Sequence, residues 1–468
     1  MSINRPNILF IMTDEQRFDA VGYVNPQVIT PNLDKLSNES IVFENAYTTS
    51  PSCIPARAAV FTGKYPSQCD APTYITHLPD DEVMFMSLLQ QAGYHTAVVG
   101  KQHFGSTNIK RGYDYEEIND MHFPKFNPSG KGSSYTLFLE ENGFSEGSQL
   151  YEREGKYTYK WKEDVKFHID HFIGERGKRW LKEKRPSEKP WFLCVSFPGP
   201  HQPFDGIGLP HAELYDEKTI GLPHTKESNL DEKPPHYMVQ LETGHGNPGQ
   251  MPVKGTSEAD IKRTRLSYFA KMSLIDEKIG EIISALKETG EYENTMIIFT
   301  SDHGDFMGDF GMMGKGQYLS EALMHIPFLI KPPISQFCGR KESSFVSSVE
   351  IAATCLKVAN VPIPENISGR SLDQFWSKDA DIEVWEDIYM EAQDIRAIRT
   401  KRWKFIYYQN RCYGELYDIK NDPWEKHNLW DDVSLSKIKA DLMAAMLNWL
   451  IKLGKRSHVP WNKDAPTI

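Results

Sequence analysis

The sequence predicts an α/β protein with a doubly wound main domain and a smaller C-terminal α+β domain. Three observations predict it. Four short apolar runs each end in polar residues, helical patterns lie between those runs, and a late change to strand-like segments is followed by one more helix.

The first run, Asn7-Ile8-Leu9-Phe10-Ile11-Met12, ends in Thr13-Asp14-Glu15 and reads as a buried strand delivering carboxylates at its C-terminal end. Open α/β sheets bind ligands at that edge. Thr96 to Val99, Trp191 to Phe197 and Thr295 to Thr300 repeat the signal, so four strands are expected to aim at one rim. Met86 to Ala92, closed by Gly93, and Tyr268 to Leu286 are predicted helices, because their apolar residues recur at three and four. Residues 121–166 and 205–257 lack clean periodicity and are expected as excursions above the rim. His168-Ile169-Asp170-His171 has a metal-like look but reads as part of an amphipathic helix running to Leu181. Gly244 to Gly249 is glycine-rich, yet it lacks the lysine and following helix of a phosphate loop.

Pro362-Ile363-Pro364-Glu365-Asn366 and the polar stretch to Asp381 mark a boundary. Beyond it, Arg396 to Tyr408 and Glu415 to Ile419 read as strands, and Ser434 to Leu453 as a helix. The expected division is a main, catalytic domain over 1–370 and an α+β subdomain over 371–468.

The 468 residues carry a net charge of −11, which disfavours nonspecific binding to nucleic acid or to an anionic membrane. The apolar run after Met1 to Pro6 is too short for a signal segment or a membrane span, and the chain is read as cytoplasmic. Six cysteines are scattered without CxxC or zinc spacing, so neither a disulfide framework nor a zinc site is expected. Cys53 stands apart. Pro51 to Arg57 precedes a predicted helix, which puts Cys53 near a helix N-terminus that favours anions. A reactive thiol could be activated there, with Arg57 one turn later to hold an oxyanion; a buried structural cysteine is the competing reading of that segment alone. Asp14 at the end of the first strand and Asp302-His303 at the end of a later one can bring hard oxygen ligands and an imidazole to one divalent cation.

Cys53, Pro55 and Arg57 form C-x-P-x-R, which resembles the sulfatase family's recognition site for converting cysteine to formylglycine. Gly93 to Phe104, built around Gly100-Lys101-Gln102-His103, resembles that family's second signature, and Pro200-His201-Gln202-Pro203 its H-x-P element. Ser301-Asp302-His303-Gly304-Asp305 with Lys315 resembles its metal-and-lysine segment. Glu415 to Asp418 with Asn421-Asp422-Pro423 resembles its C-terminal domain. Two positions depart from the family pattern: Ile54 replaces a small or polar residue, and Glu15 stands where many relatives carry Asp.

The resemblance implies an alkaline phosphatase-like fold, with a large, mixed, mostly parallel sheet sandwiched by helices and an antiparallel sheet in the C-terminal subdomain. It implies hydrolysis of a sulfate monoester, with one divalent cation held by Asp14, Glu15, Cys53, Asp302 and His303. Calcium is the first choice, with manganese and magnesium open. The aldehyde made from Cys53 would be hydrated to a gem-diol, one hydroxyl of which attacks sulfur. His201 would protonate the leaving oxygen and His103 would deprotonate the second hydroxyl, two assignments that could be exchanged. Arg57 and Lys101 would hold the diol, Lys315 would bind sulfate, and His77 would help shape the substrate pocket. The expected partners are a small-molecule or saccharide sulfate ester and a formylglycine-generating or anaerobic sulfatase-maturing enzyme. A carbohydrate sulfate is the preferred substrate, with Tyr157, Tyr159, Trp161 and His122 around it. The alternatives are a phosphonate monoester or phosphodiester hydrolase of the same superfamily, and a nonenzymatic binding protein on the same scaffold.

Overall fold

The first apolar run forms strand β1 (Asn7–Asp14), and every one of its residues is buried. Side chains alternate across a strand, so Leu9 and Ile11 enter one core while Ile8, Phe10 and Met12 enter the other. A sheet covered on both faces requires such a continuous apolar run. The computed structural model describes residues 5–105, 111–120, 133–145, 148–225, 230–243, 253, 255–333, 339–377, 382 and 384–454.

In chain order the strands that follow are β2 (Ile41–Tyr47), β3 (His95–Gly100), β4 (Tyr115–Ile118), β5 (Tyr151–Arg153), β6 (Thr158–Trp161) and β7 (Trp191–Pro200). Then come β8 (Phe204–Ile207), β9 (Thr295–Ser301), β10 (Phe328–Lys331), β11 (Arg340–Ser347), β12 (Asp387–Ala392), β13 (Ile395–Thr400), β14 (Trp403–Tyr408) and β15 (Gly414–Asp418). The helices are α1 (Pro31–Asn38), α2 (Cys53–Thr62), α3 (Phe85–Gln91), α4 (Ser134–Glu141) and α5 (Ile169–Arg179). They continue as α6 (Pro235–Thr243), α7 (Glu258–Glu288), α8 (Glu321–Met324), α9 (Glu350–Val358) and α10 (Ser436–Gly454).

Eight strands form the main sheet in the order β11-β2-β10-β9-β1-β7-β3-β4. Its pairings are parallel except around β10, which runs opposite to both its neighbours. The four strands expected to share a rim are adjacent and parallel as β9-β1-β7-β3. Helices α1, α5 and α7 cover one face, and α2, α3 and α9 the other. The fold is that of an α/β sandwich with a large mixed, mostly parallel sheet.

The structure lengthens or adds several elements. α7 begins at Glu258, ten residues before the predicted start, because Ser257 and Asp260 form a reciprocal capping box that satisfies the first turn. His168 is the N-cap of α5 rather than part of it, its Nδ1 accepting from Asp170 N at 3.2 Å. The excursions contain a small sheet in which β6 pairs parallel with β8 and antiparallel with β5. β12 was not visible in the sequence, where Asp387 to Ala392 carries no clear alternation; it forms by pairing with β13 along its whole length. β12 to β15 make an antiparallel meander, onto which α10 packs through Leu442, Met446 and Trp449. Leu372 and Phe375 pack with α9 in the core of the main sheet, while Tyr47, Tyr65, Leu319, Met324 and Phe345 join the core of the small one. Gly244 to Gly249 lies outside the described residues. Among the described residues no helix is long and apolar enough to cross a membrane.

Candidate active site

Asp14 and Asp302 close the neighbouring strands β1 and β9, and both carboxylates are fully buried. Buried charges persist only when paired, and Arg57 supplies the pairing. Its Nε donates to Asp302 Oδ2 at 2.7 Å and its Nη2 to Asp14 Oδ2 at 3.2 Å. Its Nη1 donates to Lys101 O at 2.9 Å and to Ser196 Oγ at 3.0 Å. One guanidinium therefore ties together the end of β1, the middle of β7 and the residues that follow β3 and β9.

Cys53 is the first residue of α2, four residues before Arg57 and on the same helical face. Ser52 precedes it in extended conformation and adds no side-chain cap, so the positive end of the helix dipole faces the sulfur. Sγ lies 3.2 Å from His303 Nε2 and 3.7 Å from Asp14 Oδ1. Burial alone would push this thiol up. Lys315, Lys101 and His303 outweigh burial and hold it well below the usual thiol range.

Lys101 follows directly from β3 because Gly100 permits a close approach. At φ +104°, a Cβ there would meet Ser196 O at 2.0 Å, whereas glycine lets Lys101 N donate to that same oxygen at 2.9 Å. Lys101 Nζ then pairs with Asp14 Oδ2. Glu15 and His103 are both left-handed, at φ 64° and 60°, a conformation uncommon for such residues. Asp120 fixes the second of these turns by accepting from Gln102 N and His103 N. Glu15 N donates to Asp302 Oδ1 at 2.9 Å, and its Oε2 accepts from Lys315 Nζ and from His201 Nε2, each at 2.9 Å. Burial opposes ionisation of Glu15, but His201 and Lys315 overcome it and keep the carboxyl well below the usual range.

His303 Nδ1 hydrogen-bonds Gly304 O at 2.9 Å, which turns Nε2 toward Cys53. Burial disfavours its charge, yet Asp302 and Cys53 raise its pKa to about 9. The donor set fits a divalent cation. The ligand atoms of Asp14, Cys53, Asp302 and His303 lie within 4.8 Å of one another, as do those of Asp14, Glu15 and His201. Hard carboxylate oxygens with one oriented imidazole suit such an ion, and binding would displace the proton from His303. A polar group at position 53 suits the surroundings as well: His103 acts on the charge of Cys53, and its Nδ1 is buried with no hydrogen-bond partner among the described residues.

Cys53, Arg57, Lys101, His103, His201, Asp302, His303 and Lys315 are thus brought together with Asp14 and Glu15. His77 is exposed, its ring against Gly105, two residues beyond His103. Of the aromatics expected around a saccharide, Tyr157 and Trp161 are instead buried in the core beneath the small sheet, where apolar area drives them. Tyr159 packs on Tyr151, and His122 lies outside the described residues.

Several residues that shape the site went unread in the sequence. Tyr268 OH donates to Glu15 O at 2.6 Å and accepts from Arg17 N at 2.9 Å. Arg17 in turn donates to the carbonyls of Asp305 and Phe306 and pairs with Asp309. Asp305 accepts from Met307 N and Gly314 N, and burial together with the charge of Glu15 pushes its carboxyl up to about 8. Tyr268 sits on the apolar stripe of α7, and nothing in that periodicity separates a tyrosine packing its ring from one using its hydroxyl.

Two family models match the chain: Sulfatase over residues 6–361, and N-sulphoglucosamine sulphohydrolase, C-terminal, over residues 308–452. The chain is 29% identical over 485 residues to the uncharacterized sulfatase YidJ of Escherichia coli K12, spanning 99% of this chain and 92% of that protein. It is 26% identical over 489 residues to an N-acetylglucosamine-6-O-sulfatase of Bacteroides thetaiotaomicron, spanning 94% of this chain and 85% of that protein. The phosphonate monoester hydrolase SpPMH from Silicibacter pomeroyi shares the fold with a TM-score of 0.83 at 21% identity, over 96% of each chain. The first family match contains every residue of the buried cluster from Asp14 to Lys315, and the chain belongs to the sulfatase family, with sulfate ester hydrolysis as its reaction.

Proposed function

We propose that this sulfatase cleaves a carbohydrate sulfate monoester, using a formylglycine made from Cys53 and a divalent cation held by Asp14, Glu15, Cys53, Asp302 and His303. Calcium is the preferred ion, with manganese and magnesium as the alternatives. The observation that carries the reading is the Cys53 sulfur itself, at a helix N-terminus, 3.2 Å from His303 Nε2 and with its charge set by Lys315 and Lys101. The saccharide substrate is supported by the Bacteroides thetaiotaomicron relative.

The cation, when bound, supplies charge neutralisation for the sulfate group and acidifies a neighbouring hydroxyl. The aldehyde at position 53 supplies, once hydrated, an oxygen nucleophile in place of sulfur. The chain's own residues do the rest. Arg57 holds Asp14 and Asp302 in place through its two ion pairs. Lys101 and Lys315 both act on the charge at position 53 and would hold the oxygens of a sulfate ester. His201, with Nδ1 hydrogen-bonded to Gln202 O at 2.7 Å, carries its second proton at Nε2, from which it would protonate the leaving oxygen. His103 would take the proton from the group at position 53, and His77 would touch the substrate from the rim.

The maturing partner is a formylglycine-generating or anaerobic sulfatase-maturing enzyme reading Cys53, Pro55 and Arg57. The proposed domains are a catalytic one over 1–370 and a C-terminal α+β subdomain over 371–468, supported by the antiparallel sheet β12 to β15 and the packing of α10 on it. The cytoplasm is the proposed location, supported by the five described cysteines, all unpaired as a reducing compartment keeps them.

Mass spectrometry across Cys53, in protein from a host with a maturing enzyme, is expected to find formylglycine. The same protein should show a higher kcat/KM on a sulfate ester than on a phosphonate monoester or phosphodiester with the same leaving group. An unmodified thiol with no turnover of either ester class would overturn the proposal. A phosphodiester rate far above every sulfate would favour the second reading, a phosphonate monoester or phosphodiester hydrolase, which the fold likeness to SpPMH supports. Dialysis against a chelator is expected to lower kcat by at least ~100-fold, because the ion both orients and polarises. Return of activity with calcium, manganese or magnesium would rank the three ions.

A further inference from the structure

His201 stands on an irregular segment just past β7, and a buried lysine from another element grips that segment from below. Lys271 lies in the middle of α7 and is 2% exposed. Its Nζ donates to His201 O at 2.9 Å and to Pro203 O at 3.0 Å, and it pairs with Asp205 Oδ1 at 3.0 Å. Of the three donors a lysine has, two go to the carbonyls of residues 201 and 203, and the charge is paired with the Asp205 carboxylate. The carbonyl between the two it grips, Gln202 O, accepts from His201 Nδ1 at 2.7 Å. Consecutive carbonyls thus divide their partners, the outer two to Lys271 and the middle one to the imidazole.

The segment is anchored on its other side as well. Asp170 Oδ1 accepts from Gly199 N at 2.8 Å, and His201 N donates to Asp14 O at 3.1 Å. Asp205, which pairs with Lys271, faces His168 Nε2 at 3.4 Å, and His168 Nδ1 accepts from Asp170 N. Lys271, Asp205, His168 and Asp170 are each less than a twentieth exposed. Burying such a network is costly unless it fixes something. What it fixes here is the backbone that carries His201 and the carbonyl that sets its proton.

We infer that Lys271 is a positioning residue for the reaction: by holding the carbonyls of His201 and Pro203 it fixes the backbone of residue 201 and aims Gln202 O at His201 Nδ1, which orients the imidazole with Nε2 toward the site. The inference rests on His201 being the group that protonates the leaving oxygen. Its consequence is specific. An ester whose leaving group departs easily needs no proton, whereas a poor leaving group needs one in the transition state. Misplacing His201 therefore slows the second kind of ester and spares the first.

The test uses the full-length, matured enzyme and a series of aryl sulfates from p-nitrophenyl to unsubstituted phenyl. For Lys271→Met, kcat/KM on phenyl sulfate is expected to fall about 10–100-fold while that on p-nitrophenyl sulfate falls less than about 3-fold, with the loss in kcat rather than KM. The ratio between two esters does not depend on what fraction of the variant is folded, so a merely structural role would lower both rates alike. If Lys271→Met yields no soluble enzyme, Lys271→Gln, which keeps an N–H donor, and Asp205→Asn, which releases the lysine, are expected to show the same skew in smaller degree. His201→Ala is the reference and should show the largest skew. A His201→Ala profile parallel to wild type would remove His201 as the proton donor and the inference with it. A skewed His201→Ala profile beside unskewed Lys271 and Asp205 variants would overturn the role of Lys271 alone.

Discussion

Cys53→Ala is expected to remove turnover, with kcat/KM falling on the order of 10⁴–10⁶-fold, the scale seen when the nucleophile of a cooperating site is deleted. The fold should survive. Residue 53 opens α2, alanine has the highest helix propensity, and the position is already 4% exposed, so little cavity is left by a change of one atom. The control is mass spectrometry of the wild-type peptide, because unmodified wild-type enzyme would carry the same defect as the variant. Wild-type rates from a folded Cys53→Ala enzyme would show that another group attacks the ester. Retained chelator-sensitive thermal stability in the inactive variant would show that the cation site outlives the nucleophile.

Arg57→Met is expected to damage both stability and rate, and its stability effect should be the largest of any single change in the site. The guanidinium is fully buried, and its removal leaves two buried carboxylates, Asp14 and Asp302, facing each other without it. Breaking one partner out of a buried ion pair costs about 3–5 kcal/mol, because the remaining charge is stranded. Denaturant unfolding measures that loss. Turnover is expected to fall at least ~10³-fold, since Asp14 and Asp302 are proposed to hold the cation beside which the transferring group must sit. Arg57→Lys should restore part of the stability and little of the rate. A single ammonium cannot reproduce the planar fork that reaches Asp302, Asp14, Ser196 and Lys101 O at once. Formylglycine content must be measured in each variant, because Arg57 also belongs to the proposed maturation motif. Full stability in Arg57→Met would contradict the reading of this arginine as the tie between four strands.

The sequence by itself determined the parts that depend on near neighbours along the chain. The apolar run at Asn7 to Met12 had to be a doubly buried strand, and Asp14 had to emerge at its end, because the five successive apolar residues from Ile8 to Met12 leave no polar face there. Cys53, Pro55 and Arg57, and the Gly100-Lys101-Gln102-His103 and Asp302-His303 segments, were legible through their resemblance to sulfatase motifs, which are short stretches of chain. Only the tertiary structure decided what those ends meet. Glu15 pairs with Lys315 across 300 residues and with His201 across the width of a strand. Tyr268 and Lys271, on one helix, grip the turns that carry Glu15 and His201, though nothing in a helical period marks either. Tyr157 and Trp161 look equally suited to a sugar or to a core, and packing beneath the small sheet put them in the core. β12 has no pattern of its own and exists because β13 offers it a complete ladder of hydrogen bonds. Periodicity and spacing report the forces that act within a few residues; hydrogen bonds and ion pairs between distant segments form only as the chain folds, and those contacts orient the groups of this site.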